Sequence, residues 1–121
     1  FDDQVFNGGL ISGANGVAVD MGGGNDTLTL NYDTRFEGMV DGGTGHNTMI
    51  MDGHQRYSWY GKPDGVLNES RNFQSLEVRK GFWLIDGKTD FNQGVQVFSG
   101  ALLENQGAIA GDVVVDQYAE Y

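Results

Sequence analysis

The sequence predicts an all-β chain wound as a parallel β-solenoid of about 18–21 residues per turn, with a single protruding excursion over residues 52–72. Three observations predict it. The stretch from Val19 to Leu30 can be laid without a gap over Val40 to Met51, an offset of 21 residues. Each copy is a short apolar segment, a glycine-rich corner, an Asp or Asn, a Thr and an alternating strand. A period near twenty with one strand-corner-strand unit per copy marks a coil whose turns must stack, because one turn alone cannot bury its apolar face. Finally, no stretch of eleven or more residues shows the three-and-four apolar spacing of a helix, so helix should be scarce.

Taken in order, Phe1 to Gly16 reads as an incomplete first turn with one short apolar run, Leu10-Ile11. Val17-Ala18-Val19 is a minimal strand, and Leu28 to Tyr32 alternates apolar with polar, as a strand with one buried face does. Phe36 to Val40 and Met49-Ile50-Met51 repeat these roles one turn later. Inward ladders should therefore place Val19 over Val40, Leu28 over Met49 and Leu30 over Met51. Residues 52–72 break the rhythm with turn formers at Gly53, Gly61, Pro63-Asp64-Gly65 and Asn68, and read as a loop or small hairpin thrust out of the coil. Alternation returns at Phe73 to Val78, Gly81 to Gly87, Gly94 to Val97, Gly100 to Leu103, Gly107 to Ile109 and Gly111 to Val115. Leu76 to Val97 spans 21 residues and Val97 to Val115 spans 18, so the period continues past the excursion. Asp116 to Tyr121 loses the pattern and should fray.

Composition narrows the functional classes. In 121 residues, 7 Lys and Arg stand against 17 Asp and Glu, a formal charge of −10, which disfavours nucleic acid and anionic lipid as partners. The balance favours solubility or attraction to cations. The 20 glycines are spread as corner residues beside a single Pro, and 39% hydrophobic residues suffice for a thin, elongated core. With no cysteine there is neither a disulfide framework nor a thiolate metal site. No apolar run is long enough to span a membrane as a helix, so direct membrane insertion is not expected. The chain starts at Phe1 and reads as a piece of a longer polypeptide.

Asp26 and Asn47 follow equivalent glycine corners, and their side chains are suited to bonding turn N–H groups; an Asp stacked on an Asn also avoids the repulsion of two carboxylates. The stretch Met21 to Thr29 also resembles the nonapeptide of the repeats-in-toxin family. That resemblance implies Ca²⁺ held between turns by corner carbonyls and a carboxylate, with Asp26 and Asn47 as the candidate ligands. The chain departs from the pattern in having Met21 in place of a glycine and Asn47 in place of the ligand Asp. No resident cofactor is expected otherwise. Catalytic residues are not expected either: His46 and His54 have no partner at metal-ligand spacing, and no Ser sits in a nucleophile motif. Asp20, Asp41 and Asp52 would have to converge in a cleft to serve a hydrolase or lyase. Tyr57, Trp59 and Tyr60 in the excursion are the candidate binding residues, able to stack on sugar rings or anchor a host-surface partner if exposed. If buried, they would instead cover the coil's flank.

The order Asn72 to Val78, Gly81 to Gly87 with Trp83 at its centre, Phe91, Gly94 to Val97, Ser99 to Leu103 and Asn105 to Val113 resembles bacterial autotransporter passengers, specifically the stretch just ahead of the C-terminal outer-membrane barrel. The resemblance covers roughly residues 17–115, and its specificity lies in the order and spacing of the motifs. Residues 52–71 match none of them. It implies a right-handed, single-stranded parallel β-helix exported and displayed on the bacterial surface or secreted. The expected partners are the adjacent turns and the barrel of the same polypeptide. The implied role is a non-catalytic scaffold that folds early and templates its neighbours; an adhesin-type module using the aromatic excursion and a calcium-binding β-roll are the alternatives.

Overall fold

The computed structural model describes residues 1–54 and 62–121. The described residues contain no helix, and their strands wind as parallel coils of a β-solenoid of about 5 turns. The first two turns carry two strands each: β1 (Gln4–Asn7) and β2 (Leu10–Asp20), then β3 (Thr27–Leu30) and β4 (Arg35–Asp41). The next three carry three: β5 (Thr48–Asp52), β6 (Gly65–Leu67) and β7 (Ser70–Arg71); β8 (Ser75–Lys80), β9 (Phe82–Ile85) and β10 (Lys88–Asp90); β11 (Val95–Val97), β12 (Leu102–Asn105) and β13 (Ala108–Ala110). β14 (Val113–Val115) opens a further turn.

One face is a single six-stranded sheet in the order β1-β3-β5-β8-β11-β14. A second face is β2-β4-β7, followed by β10-β13, and the third is β6-β9-β12. Every pairing is parallel and joins successive turns. Side chains of alternate residues therefore stack in columns, inward ones apolar because burying a polar group without a hydrogen-bond partner is costly. The main column runs Val5, Leu28, Met49, Leu76, Val95, Val113; its four middle members are essentially fully buried and its ends half-buried. As the repeat requires, Val40 lies beside Val19, Met49 beside Leu28 and Met51 beside Leu30.

Two glycine positions explain how the turns close. A Cβ on Gly43, at φ +75°, would lie 1.8 Å from the carbonyl oxygen of Gly22, so the stacked corners touch backbone to backbone. On the third face a Cβ on Gly65 would meet the Trp83 ring at 2.2 Å, so the missing side chain is the space that this buried indole fills.

Three expectations are corrected. Val95, not Val97, stands on Leu76, and Val97 stands on Val78, an interval of 19 residues. A slip of two residues leaves every side chain on its proper face, so alternation alone cannot detect it. Part of the stretch expected to leave the coil over 52–72 belongs to it, because β6 and β7 are strands of the coil, paired with β9 and β4; strands this short carry too few residues to show alternation. The tail does not fray out of register: Glu120 bridges Leu102, and the N–H of Leu103 donates to the Glu120 carbonyl at 3.0 Å.

Candidate functional site

The corners that precede β3 and β5 hold the predicted pair. Asp26 is 1% exposed and Asn47 is 0% exposed. Their side chains serve the neighbouring turn: the N–H of Asp3 donates to Asp26 Oδ1 (2.7 Å), that of Asp26 to Asn47 Oδ1 (2.8 Å), and that of Asn47 to Gln74 Oε1. One residue earlier a second ladder runs the other way. The N–H of Asn25 donates to Asp2 Oδ1 and that of His46 to Asn25 Oδ1, each at 2.8 Å. Two adjacent columns of side-chain acceptors thus clip successive turns together in opposite directions, at a bend where the strand ladder is interrupted.

At the stacked Asp26 and Asn47 positions the side chains differ in one group, a carboxylate oxygen against an amide nitrogen. Asn47 Nδ2 donates to the carbonyl oxygens of Gly42 (2.7 Å) and Asn72 (3.0 Å). Asp26 has an oxygen at that place, Oδ2, which is buried and has no hydrogen-bond partner. For calcium the pair does not fit. Asn47 Oδ1 is taken by the Asp26 N–H, and the Asn47 amide nitrogen faces the carbonyls that a cation would need. Among the described residues no three of His, Cys, Asp and Glu are grouped to hold a metal ion, and a hard cation seeks six to eight oxygens.

The carboxylates named as candidate catalysts do not all converge. Asp20 and Asp41 stand in register on the second face, with Arg71 next in the column, whereas Asp52 lies at the end of β5, opposite Lys80. Asp41 Oδ2 accepts from Arg71 Nε at 2.9 Å, and its Oδ1 accepts from Asn72 Nδ2 (2.7 Å) and from the Gly43 N–H (2.9 Å). Burial pushes the Asp41 carboxyl upward, but these three partners outweigh it and hold the group below the usual carboxylate value. The arrangement is a turn anchor capped by a guanidinium.

The best-formed polar cluster was not legible from spacing. Asp64, 1% exposed, and His54 lie on either side of residues 55–61. His54 Nδ1 lies 3.2 Å from Asp64 Oδ1, while Asp64 Oδ2 accepts from the backbone N–H of His54 (3.0 Å) and of Phe82 (3.3 Å). Gly53 and Gly81 leave room for this carboxylate; a Cβ on either would fall within 2.4 Å of Oδ2. The exposed His54 ring stacks on Tyr32, with centroids 4.2 Å apart. A buried carboxylate holding Nδ1 fixes the imidazole's orientation and tautomer. Among the described residues no nucleophile accompanies it, so the visible chemistry is a clasp that ties His54 and Asp64 to each other and to Phe82 of the next turn. His46, by contrast, lies in the corner between β4 and β5. Tyr57, Trp59 and Tyr60 lie outside the described residues. No known protein family, characterised protein or solved structure matches the chain.

Proposed function

We propose that the chain is a non-catalytic scaffold segment of an autotransporter passenger, displayed on the bacterial surface or secreted, and that it acts as a folding seed for the turns beside it. Its partners in this reading are neighbouring turns and the outer-membrane barrel of the same polypeptide. The observation that supports it is the uninterrupted six-strand column from Val5 to Val113. It presents one parallel ladder along which further turns can be added in register. The middle turns are the most densely filled, with Phe73, Trp83 and Phe91 fully buried, which suits a segment that must be stable before its neighbours form.

Leu76 tests the proposal, since it sits mid-column and is 1% exposed. Leu76→Ala should destabilise the segment by about 2–5 kcal/mol, read as a lower denaturation midpoint, and should impair surface display of the full-length protein. Normal display alongside a measurably destabilised segment would count against the seed role.

A further inference from the structure

The chain contains two Asn-Gly pairs, Asn7-Gly8 and Asn15-Gly16. Such a pair is chemically exposed, because a glycine has no side chain to shield its amide nitrogen from the preceding asparagine. We infer that Asn15 is a site of spontaneous deamidation in the folded protein and that Asn7 is protected from it by the fold.

Both glycines are exposed, and the two pairs differ in how the asparagine side chain is held. Asn7 is half-buried and its amide is engaged at both ends: Nδ2 donates to the Gly9 carbonyl at 2.9 Å, and Oδ1 accepts the Gly9 N–H at 3.2 Å. Its neighbour Gly8 lies against the Tyr32 carbonyl, which a Cβ would meet at 3.4 Å. Asn15 and Gly16 are both exposed, and no hydrogen bond holds the Asn15 side chain among the described residues. A Cβ on Gly16, at φ +83°, would find nothing within 4 Å. The pair sits in a bulge of β2: Ser12 pairs Glu37 and Val17 pairs Met39, so residues 13–16 stand opposite Gly38 alone.

In the reaction, base removes the Gly16 amide proton and the nitrogen attacks Asn15 Cγ. The bond from Cγ to the side-chain nitrogen breaks, ammonia leaves, and a five-membered succinimide remains. Water then opens either carbonyl, giving Asp or isoaspartate. The net change is one water consumed and one ammonia released, with no redox partner. The product adds a carboxylate near Glu37 and, as isoaspartate, a main-chain methylene. An unpaired bulge can accommodate both without breaking the ladder beneath it.

Reaching the same geometry at Asn7 requires breaking its two hydrogen bonds, which slows that pair by about tenfold or more. The test is incubation of the folded chain at mildly alkaline pH, with peptide mapping by mass spectrometry that separates Asp, isoaspartate and Asn at each position. A parallel incubation in denaturant gives the rates without the fold. The expected result is conversion at Asn15 at least about tenfold faster than at Asn7 when folded, with the two rates converging when unfolded. Asn15→Gln should remove the fast phase and leave the denaturation midpoint unchanged. Equal rates in the folded chain would overturn the inference, as would an Asn15 amide that persists folded while the denatured chain converts.

Discussion

The corners at Met21–Asp26 and Gly42–Asn47 share glycines at Gly22/Gly43 and Gly24/Gly45 and fold onto one another, yet they solve one problem differently. Each must bring a side chain inside the coil to satisfy the N–H of the adjacent turn. Asn47 does so with a side chain that is acceptor at one end and donor at the other, and both ends find partners. Asp26 uses one oxygen and leaves the second buried without a partner. A second carboxylate oxygen does not replace the two N–H groups of an amide, so the side chain that makes Asp a good turn residue at the surface is a liability inside. The Asn corner is therefore the structurally completed version, and the Asp corner is the weaker of the pair.

The largest expected effect comes from what the corners share. Gly43→Ala places a Cβ 1.8 Å from the Gly22 carbonyl oxygen at a residue with φ +75°. A left-handed conformation alone costs an ordinary residue about 1–3 kcal/mol, and here the two backbones must also separate. A pronounced fall in the thermal midpoint is expected; a midpoint within error of the parent would show that the corners do not stack as tightly as described. Next in size is a reciprocal exchange. Asn47→Asp turns a donor into an acceptor facing the Gly42 and Asn72 carbonyls and should destabilise by about 1–3 kcal/mol. Asp26→Asn supplies the missing donor and should stabilise, by about 1 kcal/mol. Opposite signs in chemical denaturation support the comparison. A rise in midpoint on adding Ca²⁺ that disappears in Asp26→Asn would instead make Asp26 a cation ligand.

The same contrast shows what could be read from the letters. The repeat predicted the stacking of Leu28 on Met49 and of Leu30 on Met51, because inward apolar residues at fixed intervals have one way to be buried. It also indicated that Asp26 and Asn47 bond backbone N–H groups, though not that the donors belong to the next turn. The Val95 register escaped detection because a two-residue slip conserves the inward face. β6 and β7 escaped because strands of 3 and 2 residues have no periodicity to find. The His54–Asp64 clasp was invisible for a different reason. The two residues lie ten apart on either side of residues 55–61, and chain separation carries no information about whether such flanks meet.

The smallest effect expected belongs to Asp41, which has the same corner position as Asp20 but a guanidinium above it. Its folded-state value lies below the ordinary one. Its contribution to stability is therefore complete above the unfolded value, about 3.9, and is lost as pH falls through the lower, folded one. Arg71 is 59% exposed, so solvent screening keeps the contribution modest, about 1 kcal/mol or less. Many other carboxylates titrate in the same range, which makes the useful measurement a difference: the denaturation midpoint between neutral pH and pH near 3, for the parent and for Asp41→Asn. The variant should start lower and lose less, because it has no proton to take up at this position. Parallel curves would mean that Asn72, Gly43 and Arg71 hold the carboxylate in place without favouring its charge, and the two Asp corners would then differ in geometry alone.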